Sequence, residues 1–156
     1  MKNNVYLCLM SKVTAYYHIV FCTKSRENTI PLNYREDVYR FIWKELKDQG
    51  CDLLRIGGIQ NHIHMLINLN PTVALSALMK RVKGCSSTWM RTDDRFIAFK
   101  GWAADYYACT LAPEHKNAVI EYIKSQDIHH GVNTFDDEIR SMYRLADIDY
   151  DERDLR

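Results

Sequence analysis

The stretch Gly58-Ile59-Gln60-Asn61-His62-Ile63-His64-Met65-Leu66-Ile67-Asn68-Leu69 is the most informative in the chain. Its second half is strongly apolar and alternates, which predicts a buried strand. Residues two apart in a strand share a face. His62 and His64 therefore aim one way, while Ile63 points the other way into a core. Two imidazoles on one face of a rigid strand are half of a metal site. The plainer alternative is a pair of histidines packed at a sheet edge. Two ligands do not hold a metal alone, so the rest of the chain must supply more.

The 156 residues suit one domain with a sizeable core. With 47% hydrophobic and 26% charged residues, the composition is that of a soluble globular protein. The net charge of +1 announces no basic excess, but it hides an uneven spread. Lys80, Arg81, Lys83, Arg91 and Arg95 cluster between Met79 and Arg95, whereas the tail from Phe135 onward is acidic, with Asp136, Asp137 and Glu138 at its head. Five scattered cysteines, Cys8, Cys22, Cys51, Cys85 and Cys109, lack paired spacing. That pattern indicates reduced thiols and a cytoplasmic setting, not a disulfide frame or a zinc cluster. The apolar run Val5–Met10 is too short to span a membrane and has no clear signal-peptide cleavage pattern. Met10 is a possible alternative start.

The expected order is strand, helix, strand, strand, helix, strand, helix. Ala15–Thr23 is a β-branched and aromatic first strand. Leu32–Gln49 is helical, with Tyr34, Val38, Phe41, Ile42 and Leu46 at helix spacing and Gly50 as the stop. Cys51–Gly58 is a second strand, and the Gly57-Gly58 pair permits a bulge or a close backbone approach. Thr72 is the expected N-cap of a helix reaching about Arg91. A strand from about Asp105 to Thr110 follows, then a helix from Pro113 to about His130, and a last helical stretch, Phe135–Ala146. One antiparallel-centred sheet with helices packed on it, an α+β fold, is the natural layout. Residues 1–13 read as an N-terminal extension, 14–131 as the main domain, and 132–156 as an acidic tail belonging to that domain.

On the helix after Pro113, Tyr122 and Gln126 lie four apart and so share a face. A phenol oxygen and a neutral amide oxygen on one face can both reach one hard metal ion. With ten tyrosines in the chain, a half-buried tyrosine on a helix is the ordinary alternative.

Taken together, these segments resemble the single-tyrosine HUH transposases of the IS two-hundred/six-hundred-five type, the TnpA family that includes the repeat-associated tyrosine transposases. The resemblance is carried by Tyr17–Lys24, Asn61-His62-Ile63-His64, Lys83–Ser87, Tyr122-Ile123-Lys124-Ser125-Gln126, the pair His129-His130 and Tyr150–Arg153. It implies a ferredoxin- or RRM-like HUH fold acting as a homodimer, each active site combining the HUH pair of one subunit with the tyrosine helix of the other. It implies Tyr122 as the nucleophile, attacking single-stranded DNA at hairpin ends to form a five-prime phosphotyrosine. His62, His64 and Gln126 are the implied ligands of a divalent ion, Mg2+ or Mn2+. Histidine ligands favour Mn2+.

Lys80, Lys83 and Arg91, with Lys24 and Arg26 after the first strand, are candidates to follow a DNA backbone, and Trp102 and Tyr106 to stack on unpaired bases as exposed aromatics. A solvated helix face and core aromatics are the bland alternatives. A histidine-triad hydrolase is rejected because Leu66 stands where a third histidine is needed. An HUH nickase of the replication-initiator type, and a domesticated hairpin DNA- or RNA-binding protein without strand transfer, remain open.

Overall fold

The computed structural model describes residues 12–126, 134–151 and 153. The N-terminal extension as far as residue 11 and the pair His129-His130 lie outside the described residues, whereas the helix expected to reach about His130 ends at Lys124, with Ser125 as its C-cap.

Eight principal elements follow one another: β1 (Tyr16–Cys22), α1 (Arg35–Asp48), β2 (Asp52–Gly58), β3 (His62–Asn68), α2 (Leu75–Arg91), β4 (Tyr107–Thr110), α3 (Lys116–Lys124) and α4 (Phe135–Leu145). The strands form one sheet in the order β2-β3-β1-β4, every neighbouring pair antiparallel. The first six elements make the βαββαβ arrangement of ferredoxin-like domains, the α+β fold expected from the sequence. Because β3 is an inner strand, the histidine pair does not sit at a sheet edge.

Register separates the two faces. Cys22 lies opposite His62, and Val20 lies opposite both His64 and Tyr107. His18, Val20, Cys22, His62, His64 and Tyr107 therefore share one face. The alternate residues Ile19, Phe21, Ile63, Met65 and Ile67 turn to the other face. There they meet Val38, Ile42 and Leu46 of α1 and Leu78, Met79 and Val82 of α2 in the main core. Each fully buried aliphatic side chain stabilises the fold by roughly 1.5–3 kcal/mol, so the period of β3 is strongly fixed.

The histidine face is covered by α3 and α4. Val20 and Tyr107 pack on Ile139 and Met142 of α4 in a second, smaller cluster. The acidic tail is thus in part an amphipathic helix seated on the sheet. Helix α3 lies close over β2 because Gly57 has no side chain: a Cβ there would come within 2.8 Å of the Ile123 carbonyl oxygen. Gly58 makes the turn into β3, where a Cβ would come within 2.2 Å of the His62 carbonyl oxygen. The close approach expected at Gly57-Gly58 is there, whereas the irregularity in the β2–β3 pairing falls between Leu53 and Arg55.

Several boundaries differ from expectation. Leu32–Tyr34 is a 3-10 turn ahead of α1, Pro113–His115 is another ahead of α3, and β4 begins at Tyr107. Thr72 is not the N-cap of α2. Asn70 Oδ1 accepts from the Thr72 backbone nitrogen at 3.1 Å and its hydroxyl at 3.0 Å. This Asx turn around Pro71 uses up Thr72, and α2 starts at Leu75 with Ala74 in the N-cap position. Among the described residues no helix is long and apolar enough to cross a membrane.

Two glycines give opposite expectations. Gly57→Ala forces the α3 backbone off the sheet and should destabilise by about 1–3 kcal/mol, as overpacking does. At Gly84, inside α2, a Cβ would meet no atom within 4 Å, and Gly84→Ala should stabilise by about 1 kcal/mol. Urea denaturation of the two variants checks both signs.

Candidate functional site

His62 and His64 are wholly buried, with 0% of their surface exposed. The Nδ1 atom of each is held by a neighbour. His62 Nδ1 lies 2.7 Å from Asn61 Oδ1, and the Asn61 amide nitrogen donates to the Arg26 carbonyl at 3.2 Å. That second bond fixes which end of the amide faces the ring, so His62 Nδ1 carries the proton and donates to Asn61. His64 Nδ1 lies 3.1 Å from His18 Nε2, with the two rings stacked at 5.3 Å. Burial lowers the His18 pKa to about 4, so that ring is neutral and can accept. Histidines that ligate metals typically have their second nitrogen anchored in this way.

Both Nε2 atoms turn to the same group, Glu138 of α4. His64 Nε2 is 3.4 Å from Glu138 Oε1, and His62 Nε2 is 3.8 Å from Oε2. One ligand atom from each of His62, His64 and Glu138 lies within 4.8 Å of the others. Two neutral imidazoles and a carboxylate are a suitable donor set for a divalent transition ion. Burial pushes the Glu138 carboxyl up to about 7, the direction expected of an acid taken out of water.

Helix α3 brings Tyr122 to this point, and Gln126 follows just past the end of that helix. The Tyr122 hydroxyl donates to Glu138 Oε1. Its ring stands edge-on to His64 and His18, at centroid distances of 5.8 and 6.0 Å. Gln126 is 1% exposed, and its amide nitrogen lies 3.2 Å from Glu138 Oε1 and 3.5 Å from the Tyr122 carbonyl. The sequence motifs His62-x-His64 and Tyr122-x-x-x-Gln126 therefore meet within one chain. The expected sharing between two subunits is not needed to assemble these side chains, since the tyrosine helix docks on its own HUH strand.

Glu138, His18 and Asn61 are the site residues that sequence reasoning did not single out. The signal for Glu138 lay in its spacing: it follows Phe135 by three and precedes Met142 by four, which puts a carboxylate inside the apolar stripe of α4. Phe135 itself stacks on His62, at 4.1 Å. His18 lies in the first expected strand, and only the antiparallel register makes it a diagonal neighbour of His64. Cys22 shares the face, but burial raises its thiol pKa to about 11, so it supplies no thiolate near neutral pH.

The candidate DNA residues scatter around this centre. Arg26 sits in the turn after β1, where Ser25 and Arg26 adopt φ of 56° and 54°. Its guanidinium pairs with Asp136 at 2.5 Å and lies 5.3 Å over the Phe135 ring. Lys24 shares that turn and is exposed, as are Lys80 and Arg91 on α2. Lys83 is not a simply solvated lysine: it is half-buried and donates to the carbonyls of Ala104 and Asp105 at 2.6 and 3.2 Å. Trp102 and Tyr106 are half-buried, not exposed as expected. Trp102 packs edge-on against Phe21 and Phe99, and its Nε1 donates to Ser86 Oγ at 2.9 Å.

Comparison with known proteins places the chain in a family. The chain is 29% identical over 115 residues to the transposase for insertion sequence element IS200 of Salmonella typhimurium, covering 70% of this chain and 75% of that protein. It is 20% identical, also over 115 residues, to the ISDra2 transposase TnpA of Deinococcus radiodurans, covering 70% of this chain and 82% of that one. Among solved structures, a REP-associated tyrosine transposase bound to a REP hairpin aligns with a TM-score of 0.61 at 13% identity, over 78% of this chain and 75% of that one. A candidate transposase from Deinococcus radiodurans aligns with a TM-score of 0.57 at 18% identity, over 81% of this chain and 98% of that one. Both structures share the fold. The family model described as "Transposase IS200 like" matches residues 11–126, which runs from before β1 through Gln126 and stops short of Glu138. The chain belongs to the IS200-like transposase family and is a DNA transposase.

Proposed function

We propose that this transposase cuts and rejoins single-stranded DNA through a phosphotyrosine at Tyr122. The observation that carries the reading is the contact of the Tyr122 hydroxyl with Glu138, the carboxylate faced by both HUH imidazoles. His62, His64 and Glu138 would hold a divalent ion, and Gln126 would join them only by turning its amide oxygen, in place of its nitrogen, towards the centre. Held there, Mn2+ or Mg2+ would supply Lewis-acid polarisation of the scissile phosphate and offset its charge. His18 and Asn61 keep both Nε2 atoms available by holding the opposite nitrogens.

In the cleavage step the Tyr122 oxygen bonds to phosphorus and the bond from phosphorus to the three-prime oxygen breaks. The phenolic proton passes to Glu138, and the leaving oxygen takes a proton from solvent and is released as a three-prime hydroxyl. A phenol with a pKa of about 10 is a weak nucleophile when alone, so a fixed acceptor for its proton matters. Reversal with a different three-prime hydroxyl joins strands without outside energy. The substrate is a hairpin end of a mobile element. Lys24, Arg26, Lys80, Lys83 and Arg91 contact its backbone in this reading, in a cytoplasmic homodimer. The likeness to a REP hairpin complex supports the hairpin, while the in-chain meeting of α3 and β3 favours sites that work in cis. Residues 14–131 and the tail act as one unit, because Glu138 belongs to the tail.

Incubation with Mn2+ and labelled single-stranded DNA carrying the neighbouring genomic hairpins should give a covalent adduct on a denaturing gel. Tyr122→Phe should abolish it. Hairpin binding with no adduct in the parent protein, under either metal, would leave a hairpin-binding protein instead. Glu138→Gln should weaken Mn2+ binding measured by calorimetry at least tenfold. Asn61→Ala, which frees the His62 ring, should weaken it by about 10- to 100-fold with an unchanged circular dichroism spectrum. Parent-like Mn2+ affinity in both variants would remove the ligand assignment.

A further inference from the structure

A groove of about 400 Å³ lies between α2 and the segment 102–106 that leads into β4. Lys80, Lys83 and Gly84 line it from α2, and Trp102, Ala104 and Tyr106 from the facing segment. Among the described residues none of its lining side chains is acidic. Its electrostatic character therefore suits an anion.

Gly84 points to what the groove is for. Glycine is among the least favourable residues inside a helix, and Gly84 lies in the interior of α2. No neighbour demands it, since a Cβ there would meet nothing within 4 Å. The missing side chain instead keeps the groove floor open to a ligand. The opposite wall is rigid and aromatic. Trp102 is fixed by its bond to Ser86 and its edge contacts with Phe21 and Phe99. Lys83 holds the backbone of residues 104 and 105, with its ammonium 5.8 Å above the Tyr106 ring. Tyr106 also lines a second cavity of about 110 Å³, which Cys22, Arg26 and Phe135 close on the far side. Phe135 is the ring stacked on His62. Ala103 and Tyr106 stand in the walls of both cavities, and Asp105 in the wall of the second.

We propose that the groove seats one nucleotide of a single strand. Its base lies against Trp102 and Tyr106 across Gly84, its flanking phosphates rest on Lys80 and Lys83, and the strand continues past Tyr106 towards His62. Stacking platforms joined to cationic tracks are the general means of holding unpaired nucleic acid. The proposal rests on the cleavage reading only in naming that strand as the one presented to Tyr122.

The test uses the full chain carrying Tyr122→Phe and a labelled single-stranded oligonucleotide without a hairpin, followed by fluorescence anisotropy across a salt series. Gly84→Met should weaken binding at least tenfold while circular dichroism and the melting midpoint stay those of a folded protein. Lys80→Ala should lower the slope of log K against log salt by about one. Parent-like affinity in a folded Gly84→Met protein overturns the proposal, as does failure of the Tyr122→Phe chain to bind the oligonucleotide. If Gly84→Met does not fold, Gly84→Ala decides: a measurable loss of affinity supports the groove and an unchanged affinity overturns it. The two readings fail separately. A Gly84 effect without any adduct from the Tyr122 chain supports the groove and removes cleavage. An adduct without a Gly84 effect does the reverse.

Discussion

The period of two along β3 is the constraint from which the rest of the molecule follows. It sends Ile63, Met65 and Ile67 into the core shared with α1 and α2, and His62 and His64 to the opposite side. A shift of one residue would bury two imidazoles among aliphatic side chains and expose three apolar ones, so many kcal/mol of burial act on the register that aims the site. The site inherits its rigidity from the core. Both histidines sit on an inner strand and are wholly buried, so neither ring can swing without displacing the side chains packed around it.

A buried polar cluster of this kind stands only if each member has a partner. Here the partners are recruited from separate parts of the chain: His18 from β1, Asn61 from the turn before β3, Tyr122 from α3, Gln126 from just past its end, and Glu138 from α4. The turn after β1 takes part as well, through the Arg26 carbonyl that fixes Asn61. Two successive non-glycine residues with positive φ in that turn are the sort of backbone strain that persists where surrounding structure demands it. The Arg26 side chain then ties the same turn to Asp136 on α4. The imidazole pair, the strained turn and the carboxylate helix are in this sense one mechanical unit.

Much of this was legible in the residues because local patterns carried it. Alternation announced β3, helix spacing announced α1 and α2, and the two short motifs named His62, His64, Tyr122 and Gln126. What was not legible depended on distance along the chain. Glu138 sits beside Asp136 and Asp137 in the first turn of α4, where acids are favoured by the helix dipole alone, so an ordinary cause masked a special one. His18 became a neighbour of His64 only through strand register. Thr72 misled because it has the chemistry of an N-cap, yet Asn70 and Pro71 engage it in a turn first. Trp102 misled because composition does not say which ring a neighbouring serine will hold in place.

Glu138 follows every other residue of the site in the chain, and it lies past the segment that the family shares. Synthesis from the N-terminus therefore lays down the imidazole pair and the tyrosine before their common carboxylate exists. A nascent chain that has emerged only as far as Gln126 carries the residues of all four strands and both motifs, but not the carboxylate that the two histidines and the phenol share. The centre therefore cannot be completed until α4 has been synthesised and has folded back onto the sheet.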